Sequence, residues 1–216
     1  MPYRKVPLKE GEMYHICTRT ICGFKIFNSD SEYQRMLESI VFYTLENPPC
    51  KFSDLPKPAL GKVVPNAGLG RLVKIVAYCL MPTHIHLILQ QLKEGGISRF
   101  MNLILKSYSK YFNIKHNRKG PLWEGRFKNV LVKSDEQFLH LTRYVHLNPV
   151  TDYLVDRPED WSFSSYREYI GLADEDKRIC DFSDYLDMNI EAYQRFVNDR
   201  ADYQRQLAKI KHLTIE

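Results

Sequence analysis

Apolar and polar residues alternate through "EMYHICTRT" (12–20), and the run is rich in β-formers, which predicts a first strand. The period then changes. Met36, Leu37, Ile40, Val41 and Leu45 recur at helical spacing in "SDSEYQRMLESIVFYTLEN" (29–47). A helix is expected there, with Ser29 or Asp30 as its cap and Pro48 and Pro49 as its stop. Prolines 56, 58 and 65 and several glycines mark 50–70 as an insertion loop. The apolar runs 72–81 and 84–91 predict two strands joined at Pro82 and Thr83 as a hairpin, one bent strand being the alternative.

A second long helix is expected over 96–117, where Phe100, Leu103, Ile104 and Tyr108 follow the 3.6 period and Ser98 offers a cap. A strand lies within 121–132. Ser134 and Gln137 form a capping-box pattern that opens a helix over 134–148, ended by Pro149. Strand, helix, two strands, helix, strand, helix is the order of a ferredoxin-like split βαβ layout with one helix added, an α+β fold with an antiparallel sheet. "EDWSFSSYREY" (159–169) is expected to pack back on the domain through its aromatic residues. The chain divides into a domain over 1–171 and a helical, acidic extension over 172–216, where ten Asp/Glu oppose seven Lys/Arg.

Composition adds little to this picture. The net charge of +5 is mild, and the hydrophobic fraction of 44% suits a soluble globular chain. Five scattered cysteines without a CxxC pair argue for reduced thiols over a disulfide framework or a zinc cluster. The first twenty residues lack the apolar run of a signal peptide, and no segment is long and apolar enough to span a membrane. The expectation is a cytoplasmic protein without a membrane partner.

Candidate chemistry begins at "MPTHIHLIL" (81–89). Residues two apart on a strand share a face, so His84, His86 and Ile88 point one way and Ile85, Leu87 and Leu89 the other. Two neighbouring imidazoles on a rigid strand are a ready pair of metal ligands, although two polar residues on an open sheet face produce the same pattern. On the helix 134–148, Tyr144 and Asn148 stand four residues apart on one side. His140 precedes Tyr144 by one turn on that side, and His146 points elsewhere. Asn148 offers a carbonyl oxygen as a third ligand, and a His, His, Asn set suits Mg²⁺ or Mn²⁺ better than a closed zinc site. Spacing alone does not select Tyr144 from fourteen tyrosines.

Charge supplies a third clue. Between Lys106 and Lys133 stand Lys106, Lys110, Lys115, Arg118, Lys119, Arg126, Lys128 and Lys133, opposed only by Glu124, a local +7. Tyr108, Tyr111, Phe112, Trp123 and Phe127 are interleaved. Basic side chains neutralise phosphates and aromatic rings stack on unpaired bases, so the segment points to nucleic acid.

Four stretches in this order, "YCLMPTHIHLIL", "GPLWEGRFKNVLV", "LTRYVHLNPV" and "DWSFSSYREY", resemble the single-tyrosine HUH transposases, in particular the REP-associated tyrosine transposases. The resemblance runs from about residue 5 to about residue 171. It implies that His84 and His86 bind the metal and that Tyr144 is the nucleophile. Asn148 stands where relatives carry a polar third ligand, which elsewhere is Gln, Glu or His. It implies single-stranded DNA as substrate, a hairpin flanked by unpaired bases, and cleavage and rejoining through a 5′-phosphotyrosine. Arg143 is expected to favour the Tyr144 phenolate, and His140 offers a proton acceptor. Monomer and homodimer both stay open, as do two other functions: a non-catalytic DNA-binding protein of this fold and a metal nuclease that uses water.

Overall fold

The computed structural model describes residues 7–48, 50–54 and 70–200. Most of the expected insertion loop and the end of the acidic extension lie outside these residues. The elements are β1 (Met13–Arg19), α1 (Asp30–Tyr43), β2 (Val73–Met81), β3 (His84–Gln91), α2 (Gly96–Lys115), β4 (Lys128–Leu131), α3 (Asp135–Thr151), α4 (Tyr166–Tyr169) and α5 (Ile190–Asn198). The strands form one antiparallel sheet in the order β2-β3-β1-β4, the ferredoxin-like arrangement. β2 and β3 form a hairpin, not one bent strand. No helix among the described residues is long and apolar enough to cross a membrane.

Both faces of the sheet are covered, by different helices. Ile85, Leu87 and Leu89 meet Met36, Leu37 and Ile40 of α1 and Phe100, Ile104, Tyr108 and Phe112 of α2 in one core. On the other face Ile88 and Ala77 meet Phe138, Val145 and Val150 of α3, with Tyr166, Tyr169, Tyr193 and Val197 from α4 and α5. Burial of these apolar faces is the main force holding the three layers together. A bulge between Ile75 and Ala77 shifts the alternation of β2, so that Ile75 and Ala77 serve opposite faces.

The exposed edge of β2 is closed by the returning aromatic segment. Leu80 N–H donates to the Phe163 carbonyl (2.9 Å) and Ser165 N–H to the Tyr78 carbonyl (2.9 Å). Trp161 Nε1 donates to the Leu80 carbonyl (3.0 Å), and Phe163 stacks on Tyr33. An unpaired edge strand is thereby covered by the chain itself.

The start of α2 and the end of α3 differ from the sequence expectation. α2 starts at Gly96, with Gly95 as its cap at φ +68°, not at Ser98. A Cβ on Gly96 would lie 2.3 Å from the Leu72 carbonyl oxygen, so glycine is what permits this close approach. The Gln91 side chain accepts from Ile97 N–H (3.1 Å) and satisfies one of the free donors there. α3 runs through Pro149 to Thr151. This proline sits in the last turn of the helix, where Pro149 and Asn148 carbonyls are taken by Leu154 and Asp152 N–H groups (both 2.9 Å). At its start, Ser134 Oγ accepts from Gln137 N–H (3.2 Å), as the capping pattern predicts. Residues 172–189 run as turns with a single 3₁₀ turn at Glu175–Lys177, and the helix of the extension is α5.

Candidate active site

β3 places His84 and His86 on the face covered by α3, and strand pairing determines what surrounds them. Across β1, Arg19 faces His84 and Cys17 faces His86; across β2, Met81 faces His84 and Cys79 faces His86. His15 shares that face of β1, diagonal to His86. β4 adds Lys128 opposite Cys17.

Tyr144 arrives from α3 above this surface. Its ring meets His86 edge to face, with centroids 5.5 Å apart, and His15 in the same way at 6.1 Å. The His84 and His86 rings are 5.0 Å apart and perpendicular. Tyr144, which sequence spacing could not connect to His84 and His86, thus stands beside that pair.

Burial holds all three imidazoles neutral. His84 is pushed down to about 4, first by burial and then by the Arg19 charge. His15 is pushed down to about 4 by burial, and His86 lies well below the ordinary value through burial and its histidine neighbours. Neutral imidazole is the form that binds metals. One nitrogen of each strand histidine is committed: His84 Nδ1 to Thr83 Oγ1 (3.1 Å) and His86 Nδ1 to His15 Nε2 (3.0 Å). His86 Nε2 is buried and has no hydrogen-bond partner among the described residues. Asn148 Nδ2 donates to the Tyr144 carbonyl (2.8 Å), which leaves its oxygen as the potential ligand. No three His, Cys, Asp or Glu side chains among the described residues form a metal cluster by themselves. An orphaned neutral imidazole nitrogen beside a second histidine nevertheless fits a divalent cation completed by oxygen.

The Tyr144 phenol is held above its ordinary value, first by burial, then by the Cys17 thiol, while Arg19 and Asn148 pull it down and Asp152 raises it. It is therefore protonated at neutral pH, and the cation nearest in effect is Arg19. Arg143, expected in that role, lies over the Phe196 ring at 4.2 Å and donates to the Phe196 carbonyl and to His140 Nδ1. His140 is exposed and engaged with Arg143 and Glu136. Sequence reasoning missed His15 and Arg19. The signal was present in β1, where polar His15, Cys17 and Arg19 alternate with Tyr14, Ile16 and Thr18.

The basic segment is split between two faces of the sheet. Lys128 stands beside the histidine site. Lys106 and Arg126 flank a cleft of about 400 Å³ with Trp123 and Phe127. Lys106, Lys110 and Lys115 line a groove between α1 and α2, behind the sheet. Lys115 is ion-paired with the buried Glu32 (2.9 Å). Arg118 is tied to Asn113 and to the carbonyls of Gly120 and Pro121. Lys119 is exposed in the turn after α2.

Known proteins bear on the same region. A REP-associated tyrosine transposase of Haemophilus influenzae is 28% identical over 101 residues, 42% of this chain and 57% of that protein. One of Escherichia coli is 28% identical over 95 residues, 43% of this chain and 54% of that protein. The chain thus matches little more than half the length of these relatives. A solved REP-associated tyrosine transposase bound to a REP hairpin shares the fold, with a TM-score of 0.54 and 19% identity over 88% of this chain and 99% of that one. A family model described as "Transposase IS200 like" matches residues 11–148, more than half of the chain and the whole stretch from β1 to Asn148, and the chain belongs to that family.

Proposed function

We propose that this protein cleaves and rejoins single-stranded DNA by transesterification, with Tyr144 as nucleophile. The observation that carries this reading is the meeting of Tyr144 with the His84–His86 pair on one face of the sheet. A solvated tyrosine or a lone pair of sheet histidines would not require that placement.

Tyr144 Oη attacks the scissile phosphorus and forms a 5′-phosphotyrosine, while the 3′-oxygen leaves and takes up the proton that the phenol loses. His84, His86 and the Asn148 oxygen would hold Mg²⁺ or Mn²⁺, which supplies Lewis-acid stabilisation of charge at a non-bridging phosphate oxygen when bound. Arg19 sits opposite His84, where its charge favours both the phenolate and the phosphate. Because the phosphotyrosine conserves the ester bond energy, a later 3′-hydroxyl reverses the step and rejoins strands.

The substrate is a hairpin flanked by unpaired bases, by likeness to relatives named for REP elements and to the hairpin-bound structure. Lys128 stands beside the site, and Arg126, Trp123 and Phe127 line the neighbouring cleft, where they would meet the strand. Lys106, Lys110 and Lys119 extend the positive surface, whereas Lys115, Arg118 and Arg143 hold protein partners and contribute less.

A denaturing gel tests the proposal. Labelled hairpins from the DNA flanking the gene are incubated with protein and Mg²⁺ or Mn²⁺. A metal-dependent covalent band, lost in Tyr144→Phe and in His84→Ala, is expected. Cleavage that survives Tyr144→Phe would identify a water-using nuclease. Binding on a native gel without cleavage or adduct would identify a binding protein.

A further inference from the structure

His15 donates nothing to the chemistry above, yet its ring is hydrogen-bonded to that of His86. The two rings lie edge to edge and nearly in one plane, 5.2 Å between centroids and 14° between planes, with His15 Nε2 3.0 Å from His86 Nδ1. A 3.0 Å contact between two ring nitrogens holds one proton, and its owner decides the tautomer of His86. If His15 donates, His86 carries its own proton on Nε2, the buried atom with no partner among the described residues. If His86 donates from Nδ1, that same Nε2 presents a lone pair instead. Only the second arrangement makes His86 a ligand.

We infer that His15 is a positioning residue of the metal site: its Nε2 accepts the Nδ1 proton of His86 and so keeps the His86 Nε2 lone pair aimed at a divalent cation. Thr83 Oγ1 stands in the matching place for His84 Nδ1. Each ligand histidine thereby has its second nitrogen fixed by a neighbour, the usual means of setting tautomer and ring orientation at a metal site. β1 supplies the rigidity, because the pairing of Cys17 with His86 fixes His15 diagonally across from the ring it must meet. The inference rests on the reading that His84 and His86 hold the cation.

Two measurements on the intact chain separate the inference from that reading. Mn²⁺ binding, followed by the electron paramagnetic resonance of free Mn²⁺, compares wild type with His15→Gln, His15→Phe and His84→Ala. Gln places an acceptor oxygen near the position of Nε2, and Phe keeps an aromatic ring without an acceptor. His15→Phe is expected to weaken Mn²⁺ binding about 10- to 100-fold, with His15→Gln within about threefold of wild type. The nitrogen-15 shifts of the His86 ring, recorded without metal, should show the Nδ1–H tautomer in wild type and its loss in His15→Phe. Thermal melts confirm that each variant is folded. Unchanged Mn²⁺ affinity in His15→Phe beside lost affinity in His84→Ala would overturn the role of His15 and leave the metal reading standing. An Nε2–H tautomer of His86 in wild type would overturn it as well. Absence of Mn²⁺ binding by wild type would instead overturn the metal reading, and the ring-nitrogen shifts would still decide whether His15 sets the tautomer.

Discussion

Replacing Tyr193 with Phe should destabilise the protein, although one oxygen atom is all that is removed. His146 is fully buried on α3, two residues after Tyr144. Its Nδ1 is 2.7 Å from Tyr193 Oη on α5, and its Nε2 is 2.8 Å from Ser165 Oγ. The Ser165 hydroxyl donates to the Tyr78 carbonyl (3.1 Å) and accepts from Tyr78 N–H (2.9 Å). With its single proton committed to that carbonyl, Ser165 must accept from His146 Nε2–H. Nδ1 then accepts from the Tyr193 hydroxyl. Every member of the chain is satisfied, and β2, α3 and α5 are joined through it. Tyr193→Phe leaves Nδ1 buried without a donor, which costs about 1–3 kcal/mol for an unsatisfied group. The ring itself stays, so the packing of Tyr193 against Tyr166 and Tyr169 is kept. Urea unfolding followed by circular dichroism should show a lower midpoint with an unchanged slope. A change below about 0.5 kcal/mol, the scatter of ordinary surface substitutions, would refute the assignment of donors and acceptors along this chain.

Other outcomes follow from the same structure. Burial pushes His146 down to about 3, so the unfolded chain binds more protons below pH 6.5, and stability must fall as pH drops through that value. For His146 alone the loss reaches about 2 kcal/mol at pH 5, and denaturant titrations at pH 7 and pH 5 should differ by at least that amount. Gly96→Ala should destabilise strongly, because its Cβ meets backbone at Leu72 and no side chain can move aside; a melting temperature equal to wild type would contradict this. Lys128→Ala should lower the slope of log affinity against log salt for single-stranded DNA by about 0.7, and Lys115→Ala should change it less, since Glu32 already occupies that ammonium.

The part of the site carried on single elements was legible in the sequence. Alternation in 84–91 puts His84 and His86 on one face without knowledge of any partner strand, and helical spacing pairs Tyr144 with Asn148. His15 and Arg19 were not legible in that way, because their place beside the histidines is set by the β1–β3 register, a relation between residues about seventy positions apart. The basic segment shows the converse problem. Counted along the chain it is one patch, but α2 packs on one face of the sheet while β4 brings Lys128 to the other. Local rules also misplaced two helix boundaries. Ser98 has the chemistry of a cap, but the close approach to Leu72 draws the helix start back to Gly96. Pro149 has the chemistry of a stop, but α3 continues two residues beyond it.

The central claim is that Tyr144 becomes covalently joined to DNA. Its most direct test is peptide mass spectrometry of the protein after reaction with a hairpin substrate and nuclease trimming. A peptide containing Tyr144 that carries a nucleotide through its 5′-phosphate is the predicted result. A nucleotide on any other residue, such as exposed Tyr153 on the turn after α3, or cleaved DNA with free 5′-phosphate ends and unmodified protein, would contradict it.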